Sequence, residues 1–200
     1  MHLSPRGTAL GTATFLTGLA LDKEQSSLPP CHLYMDGVAL AAVNLLLLGP
    51  LLHSCAIKCT RPSRVLKTVF DVSGIILVHS GLYALVHRCL HKVKCLRPIH
   101  RDHHRFKNEV MPTAANAVSA QEFLIAYMMP FFVATFVLRP SKISLDAAVT
   151  VVSAANLFVH TPSFDHITMP HWLVHPKDHL THHKKRTGNY AAPTIAWYAI

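Results

Sequence analysis

Sixteen of the 200 residues are histidine, and half of them fall in three short boxes. His87-Arg-Cys-Leu-His91 has the i, i+4 spacing that lets two imidazoles project from one helical face and hold one ion. It has no glutamate after the first histidine, so the general base of the helical zinc proteases is missing. His100-Arg-Asp-His103-His104 and His179-Leu-Thr-His182-His183 repeat an HxxHH spacing, read as i, i+3, i+4 on a helical face. At this histidine frequency one HxxHH box is expected by chance roughly 0.1 times, so two of them in one chain are a signal. His160 stands alone at the end of an apolar run. These nine histidines, His87, His91, His100, His103, His104, His160, His179, His182 and His183, are too many for one tetrahedral zinc. They suit two ions with four or five ligands each. Imidazole accepts iron, zinc, copper and nickel, so the ligand type leaves the metal open. A ferritin-like di-iron bundle is excluded by the lack of Glu-x-x-His pairs.

Other histidines read differently. His175 is the spare ligand candidate. His166 and His171 read as loop or hydrogen-bonding residues, and His2, His32 and His53 as isolated loop or interface residues. His79, two turns before His87 in an apolar helix, reads as a packing or supporting residue as readily as a ligand. Asp102 and Asp178 lie beside histidines of the set and Asp165 lies five residues after His160; they and Glu122 can orient imidazole N–H groups.

These boxes need elements to hold them. Half the chain is hydrophobic and 14% is charged, well below the roughly 25% of soluble domains. Four apolar runs, 38–57, 65–86, 117–138 and 143–159, predict an all-α integral membrane protein with about four spanning helices arranged as hairpins. A histidine-rich helical cap is expected at one face. Residues 1–37 read as an N-terminal segment and linker, the run from Thr8 to Leu21 being either a signal sequence or a frayed amphipathic start. Residues 38–200 read as the membrane-embedded domain.

Only Arg139-Pro-Ser-Lys142 separates the third and fourth runs, so a tight hairpin must return the chain to the face it left. The boxes before residue 117 and after residue 159 therefore share a face. That face carries Arg88, Lys92, Lys94, Arg97, Arg101, Arg105 and Lys107, then Lys177, Lys184, Lys185 and Arg186. The other face has Lys58, Arg61, Arg64, Arg139 and Lys142. The bias predicts a cytosolic histidine face. The net charge of +9 is thus spent in loops beside a bilayer, not on nucleic acid. The five cysteines form no CxxC and read as reduced thiols.

The order HRCLH, HRDHH, a lone histidine after a hairpin, then HLTHH, resembles the fatty acid hydroxylase and sterol desaturase superfamily over roughly Asp71 to Tyr190. Pro112-Thr-Ala-Ala-Asn116, Gln121-Glu-Phe-Leu124, His160-Thr-Pro-Ser-Phe-Asp165 and Gly188-Asn-Tyr190 add to the likeness. Family members often have a histidine three residues before the glutamate; here that position is Ser119. The resemblance implies an endoplasmic-reticulum membrane enzyme with a cytosolic, histidine-ligated di-iron centre built from the nine histidines. It implies oxidation of a sterol, sphingoid or fatty acyl lipid with O2, by hydroxylation or desaturation. Electrons would come from NAD(P)H through cytochrome b5 or a similar carrier protein. Two readings compete with an enzyme: a divalent-metal-binding or transport protein, and a non-catalytic relative whose boxes only stabilise the fold. A transporter is expected to hold its ligands near the bilayer midplane, whereas these boxes sit at the ends of apolar runs.

Overall fold

The structure is a computed structural model that describes residues 3–62 and 65–197. The positions of His2 and Arg64 lie outside the described residues. The described chain is helical, and its one β feature is an isolated antiparallel bridge between Leu173 and Ile195. The helices are α1 (Pro5–Lys23), α2 (Cys31–Cys59), α3 (Val65–Lys92), α4 (Ala120–Leu138), α5 (Lys142–Val159) and α6 (Pro176–Lys185). Four of these, α2 to α5, contain segments long and apolar enough to cross a membrane. Their outward sides carry exposed Val69, Phe70, Phe136, Val137 and Ile143, which a bilayer would cover and water would not tolerate in such number.

The two proline-bearing spans relieve the proline in the same way. Pro50 and Pro130 each follow a six-residue π-helical stretch, Val43–Leu48 and Phe123–Met128. A proline removes one ladder donor and clashes with the preceding turn. The wider π turn absorbs that clash without breaking the helix.

The third helix is the hub, packing on both α4 and α5. Ile75, Phe131, Ala134, Leu145, Ala148 and Val152 form the apolar core at one end of the bundle. Toward the histidine end the core becomes aromatic, with Tyr83, Phe123 and Tyr127. The α4–α5 hairpin turns on Arg139, which takes a left-handed conformation (φ 46°). Ser141 then caps α5 through its side chain. The Pro140 carbonyl accepts from the Arg61 N–H at 3.0 Å, so the end of α2 sits at the same end of the bundle as the hairpin.

The N-terminal run is not a frayed start. It is a 19-residue helix capped by Ser4, and it packs along the bundle. Near its beginning Arg6 pairs with Asp146 of α5 at 2.5 Å. Near its end buried Asp22 accepts from the Thr113 N–H at 2.9 Å and from the Thr113 hydroxyl. Gly11 allows the approach between: a Cβ there would collide with the Leu45 carbonyl of α2. This signal was a glycine spacing, not an apolar period. His53 differs from its isolated reading as well. It is buried, linking Ser4 Oγ (3.0 Å) and Asp146 (2.9 Å). All five cysteines are free.

Candidate metal centre

The nine histidines meet at one end of the bundle, carried by four different parts of the chain. The last turns of α3 bring His87 and His91. The loop that follows contains two short 3-10 turns, Arg97–His100 and His103–Arg105, which bring His100, His103 and His104. His160 caps α5 at its C-terminal end. Helix α6 brings His179, His182 and His183.

They sort into two clusters. His87, His91, His100, His104 and His182 form one; His103, His160, His179 and His183 form the other. Within each cluster one ring nitrogen per residue lies within 4.8 Å of all the others. The boxes therefore do not map one to an ion. On α6, i and i+4 are offset by only about 40°, whereas i+3 and i+4 diverge by about 100°. His179 and His183 thus point together and His182 points to the neighbouring cluster. The second box divides likewise, His100 and His104 going to one cluster and His103 to the other. It does so from 3-10 turns, not from the α-helical face that its spacing predicted. The residues between His91 and His100 include Pro98, which opens one of these turns.

Several rings are held from behind. The Nδ1–H of His87 donates to the Tyr190 carbonyl (2.9 Å), that of His160 to the Asn156 carbonyl (2.7 Å) and that of His182 to the Gly188 carbonyl (2.7 Å). His100 Nδ1 meets Glu122 Oε1 at 2.6 Å. Carbonyls and carboxylates only accept, so each of these rings carries its proton on Nδ1 and turns a bare Nε2 inward. Yet Nε2 of His87 and Nε2 of His100 are 3.0 Å apart, and two bare lone pairs at that distance repel. Nε2 of His182 and both nitrogens of His183 are buried without a hydrogen-bond partner among the described residues. Such convergence of lone pairs needs a cation among them, and the donor set fits a metal ion.

Protons are poor candidates for that cation. Burial is the main cause that lowers the pKa of His160 and of His182 to about 4. Burial, then the charge of neighbouring imidazoles, pushes His103, His104, His179 and His183 well below the usual histidine value. The cluster of His103, His160, His179 and His183 is therefore neutral at pH 7, ready to ligate without first losing protons.

The remaining sequence candidates take other places. Glu122 is fully buried and holds His100. Ser119, where relatives often have histidine, caps the start of α4 and donates to the Ile99 carbonyl at 2.8 Å. It thereby ties the box loop to α4. Asp102 is half-buried beside His103, and Asp165 is exposed. Asp178 is half-buried on the first turn of α6, its carbonyl accepting from Asn189. His175 lies outside both clusters, half-buried, and its carbonyl caps α6 by accepting from the His179 N–H. His79 also lies outside them, packed on Phe131. The residues not anticipated are Tyr190, Asn156 and Gly188. They act through backbone carbonyls, which leave no side-chain signature.

A cleft of about 580 Å³ opens onto His91, His100 and His104. Its rim carries Lys92, Lys94, Arg97, Arg101 and Arg186, and among the described residues no carboxylate lines it. Arg186 is held in place by donating to the His104 carbonyl at 3.0 Å.

The family model of the fatty acid hydroxylases matches residues 72–199. That is well over half the chain, and the protein belongs to this family, within the sterol desaturase and fatty acid hydroxylase superfamily. No curated protein and no solved structure matches the chain significantly. Membership, the four apolar helices and the paired histidine clusters define a membrane protein of lipid-hydroxylase type.

Proposed function

We propose that the protein is a lipid oxidoreductase that uses O2 at two histidine-ligated iron ions to hydroxylate or desaturate a sterol, sphingoid or fatty acyl substrate. The observation that carries this reading is the division of nine converging histidines into a five-member and a four-member cluster. Iron bound there supplies the reversible electron store that oxidation of an unactivated C–H bond by O2 demands.

The chain's own residues do the rest. His87, His91, His100, His104 and His182 would hold one ion; His103, His160, His179 and His183 would hold the other. Glu122 and the carbonyls of Tyr190, Asn156 and Gly188 fix the tautomers, so that Nε2 faces inward. Burial keeps water from the cluster of His103, His160, His179 and His183, while the cleft opens onto the other cluster. Electrons come from NAD(P)H through cytochrome b5 or a similar carrier, and the carboxylate-free basic rim suits an acidic face on that carrier. The protein would sit in the endoplasmic reticulum with its clusters toward the cytosol. Clusters at a helix end, away from the middle of the spans, favour an enzyme over an ion-transport path.

The test is metal analysis of the purified protein combined with O2 consumption and lipid product analysis. About two irons per chain and lipid-dependent O2 uptake are expected. Bound zinc with no O2 uptake would turn the reading to a metal-binding protein.

A further inference from the structure

Five cations gather at the histidine end around a single concavity. The cleft of about 580 Å³ that opens onto His91, His100 and His104 is rimmed by Lys92, Lys94, Arg97, Arg101 and Arg186. Among the described residues no carboxylate lines it, and none of the five takes part in an ion pair. Like charges crowded round one hollow repel one another and focus a positive potential into it. The candidate ligands behind the cleft are all imidazoles, so a metal ion held by them would add positive charge that they do not offset. An anion in the cleft relieves both.

Two of the five are not loose surface charges. Arg97 donates from Nε to the His91 carbonyl at 3.0 Å, and Arg186 donates from Nη2 to the His104 carbonyl at 3.0 Å. Each bond uses one of the five N–H groups of a guanidinium, so the rest of each fork is left to the cleft that both residues line. Arg186 is set there by the left-handed turn that closes α6 (φ 57°). Lys92, at the end of α3, lies over the Tyr190 ring, 5.9 Å from its centre. The cations therefore reach the cleft from three parts of the chain: the end of α3, the loop of the second box and the end of α6. The Thr187 hydroxyl lines it with them.

We infer that this cleft binds a phosphate monoester, with Arg97 and Arg186 gripping its oxygens and Lys94 and Arg101 supplying the flanking charge. The inference goes beyond the oxidation proposed above and does not depend on it. Charge favours phosphate over carboxylate. A carboxylate is a monoanion that one guanidinium fork already matches, whereas a phosphate monoester carries about two negative charges on three strong acceptor oxygens. Two anchored guanidiniums from opposite parts of the chain, two further cations and a hydroxyl suit the second. Volume favours an ester over the free ion. The cleft is much larger than the oxyanion alone, and Leu90, Pro98 and the Tyr190 ring give the carbon side of an ester an apolar wall. A lipid headgroup at the bilayer surface and a soluble phosphate ester share this chemistry, and the test separates them.

The test is equilibrium binding to the metal-loaded full chain in phosphatidylcholine nanodiscs, with three probes: phosphatidic acid added to the bilayer, glycerol 3-phosphate in solution, and inorganic phosphate. Saturable binding of at least one ester is expected, tighter than that of inorganic phosphate and weakening as salt rises. Arg97→Gln and Arg186→Gln should each weaken it about tenfold or more, and the double variant Lys94→Gln/Arg101→Gln by a similar factor with metal content unchanged. Lys58→Gln/Lys142→Gln removes the same charge from exposed positions at the opposite end of the bundle and should leave binding as it was. Phosphatidic acid that glycerol 3-phosphate does not displace identifies a lipid headgroup as the source; the reverse preference identifies a soluble ester. No saturable binding of any probe would overturn the inference and leave the rim to the acidic face of a protein. So would binding that survives Arg97→Gln and Arg186→Gln, which puts the phosphate on the metal alone, or binding weakened equally by Lys58→Gln/Lys142→Gln, which is a general charge effect. Should Arg186→Gln shed metal through His104, the Lys94→Gln/Arg101→Gln variant decides, and unchanged affinity there would overturn the site. Binding needs no turnover. Ester binding without O2 uptake would sink the reaction while the site stands, and O2 uptake without ester binding would do the reverse.

Discussion

His182 and His183 are neighbours in the chain but face different clusters, and this makes them a sharper probe than any pair of distant ligands. On the proposed two-ion reading, removing His183 leaves three ligands in the four-histidine cluster; removing His182 leaves four in the other. His183→Ala should therefore lose an ion outright, falling from about two metals per chain to about one, while His182→Ala should retain more metal but surrender it faster to a chelator. Metal analysis before and after chelator dialysis decides this, and equal losses in the two variants would contradict the assignment. Glu122 acts one step further out, through His100. Glu122→Gln keeps an oxygen acceptor but removes the charge that strengthens the 2.6 Å bond to His100 Nδ1. Metal affinity should drop about tenfold with the helical content unchanged. An unaltered affinity by competitive chelation would show that Glu122 does not tune the ligand.

At the scale of elements, the N-terminal helix makes a pH-dependent clasp. Asp22 of α1 is fully buried and accepts from Thr113 and from the Tyr34 hydroxyl. Burial outweighs these bonds and raises its carboxyl above the usual 3.8. The folded state thus holds the proton at a pH where the unfolded chain has released it, so stability from this group is present in acid and declines as pH rises from 3.8 through the folded value. Buried histidines such as His160 and His182, with lowered values, run the opposite way and lose stability as pH falls below about 6.5. Thermal melts of wild type and Asp22→Asn across pH 3.5 to 6 separate the two, because the asparagine cannot ionise. The wild type should lose stability relative to the variant as pH rises; a constant difference would show that Asp22 does not titrate in that window. Elements like α2 to α5 were legible in the sequence because long uncharged runs leave few alternatives to a buried or spanning helix. Helix α1 was not, since its apolar residues follow no helical period and its docking rests on Gly11 and buried Asp22. The candidate ligands were legible by type and spacing, but their division between clusters was not. That division depends on the angle between i+3 and i+4 side chains and on the 3-10 turns around Pro98, neither of which a spacing pattern reports.

For the whole molecule, the two ends of the bundle differ in charge and in chemistry. One end holds the hairpin at Pro140, the end of α2 and the Arg61–Pro140 bond. The other holds both histidine clusters, with His103 and His160 Nε2 only 3.4 Å apart. These residues come from before α4 and after α5, so the α4–α5 hairpin must leave and return to the same end. The basic residues concentrate at that end, among them the Lys92, Lys94, Arg97, Arg101 and Arg186 of the cleft rim. Positive charge is retained on the cytosolic side when helices insert, so the proposed orientation has the clusters toward the cytosol and the Pro140 turn toward the lumen. The chain has no Asn-x-Ser/Thr sequence of its own, so engineered acceptors report without background. An acceptor in a short spacer at Pro140 should be glycosylated, and acceptors beside Asn108 or Lys185 should remain unmodified. Modification beside Asn108 and Lys185 with none at Pro140 would invert the orientation but keep the clusters together. Modification beside Lys185 alone would place the third box across the membrane from the other two, and no centre shared by His91, His104 and His182 could then form.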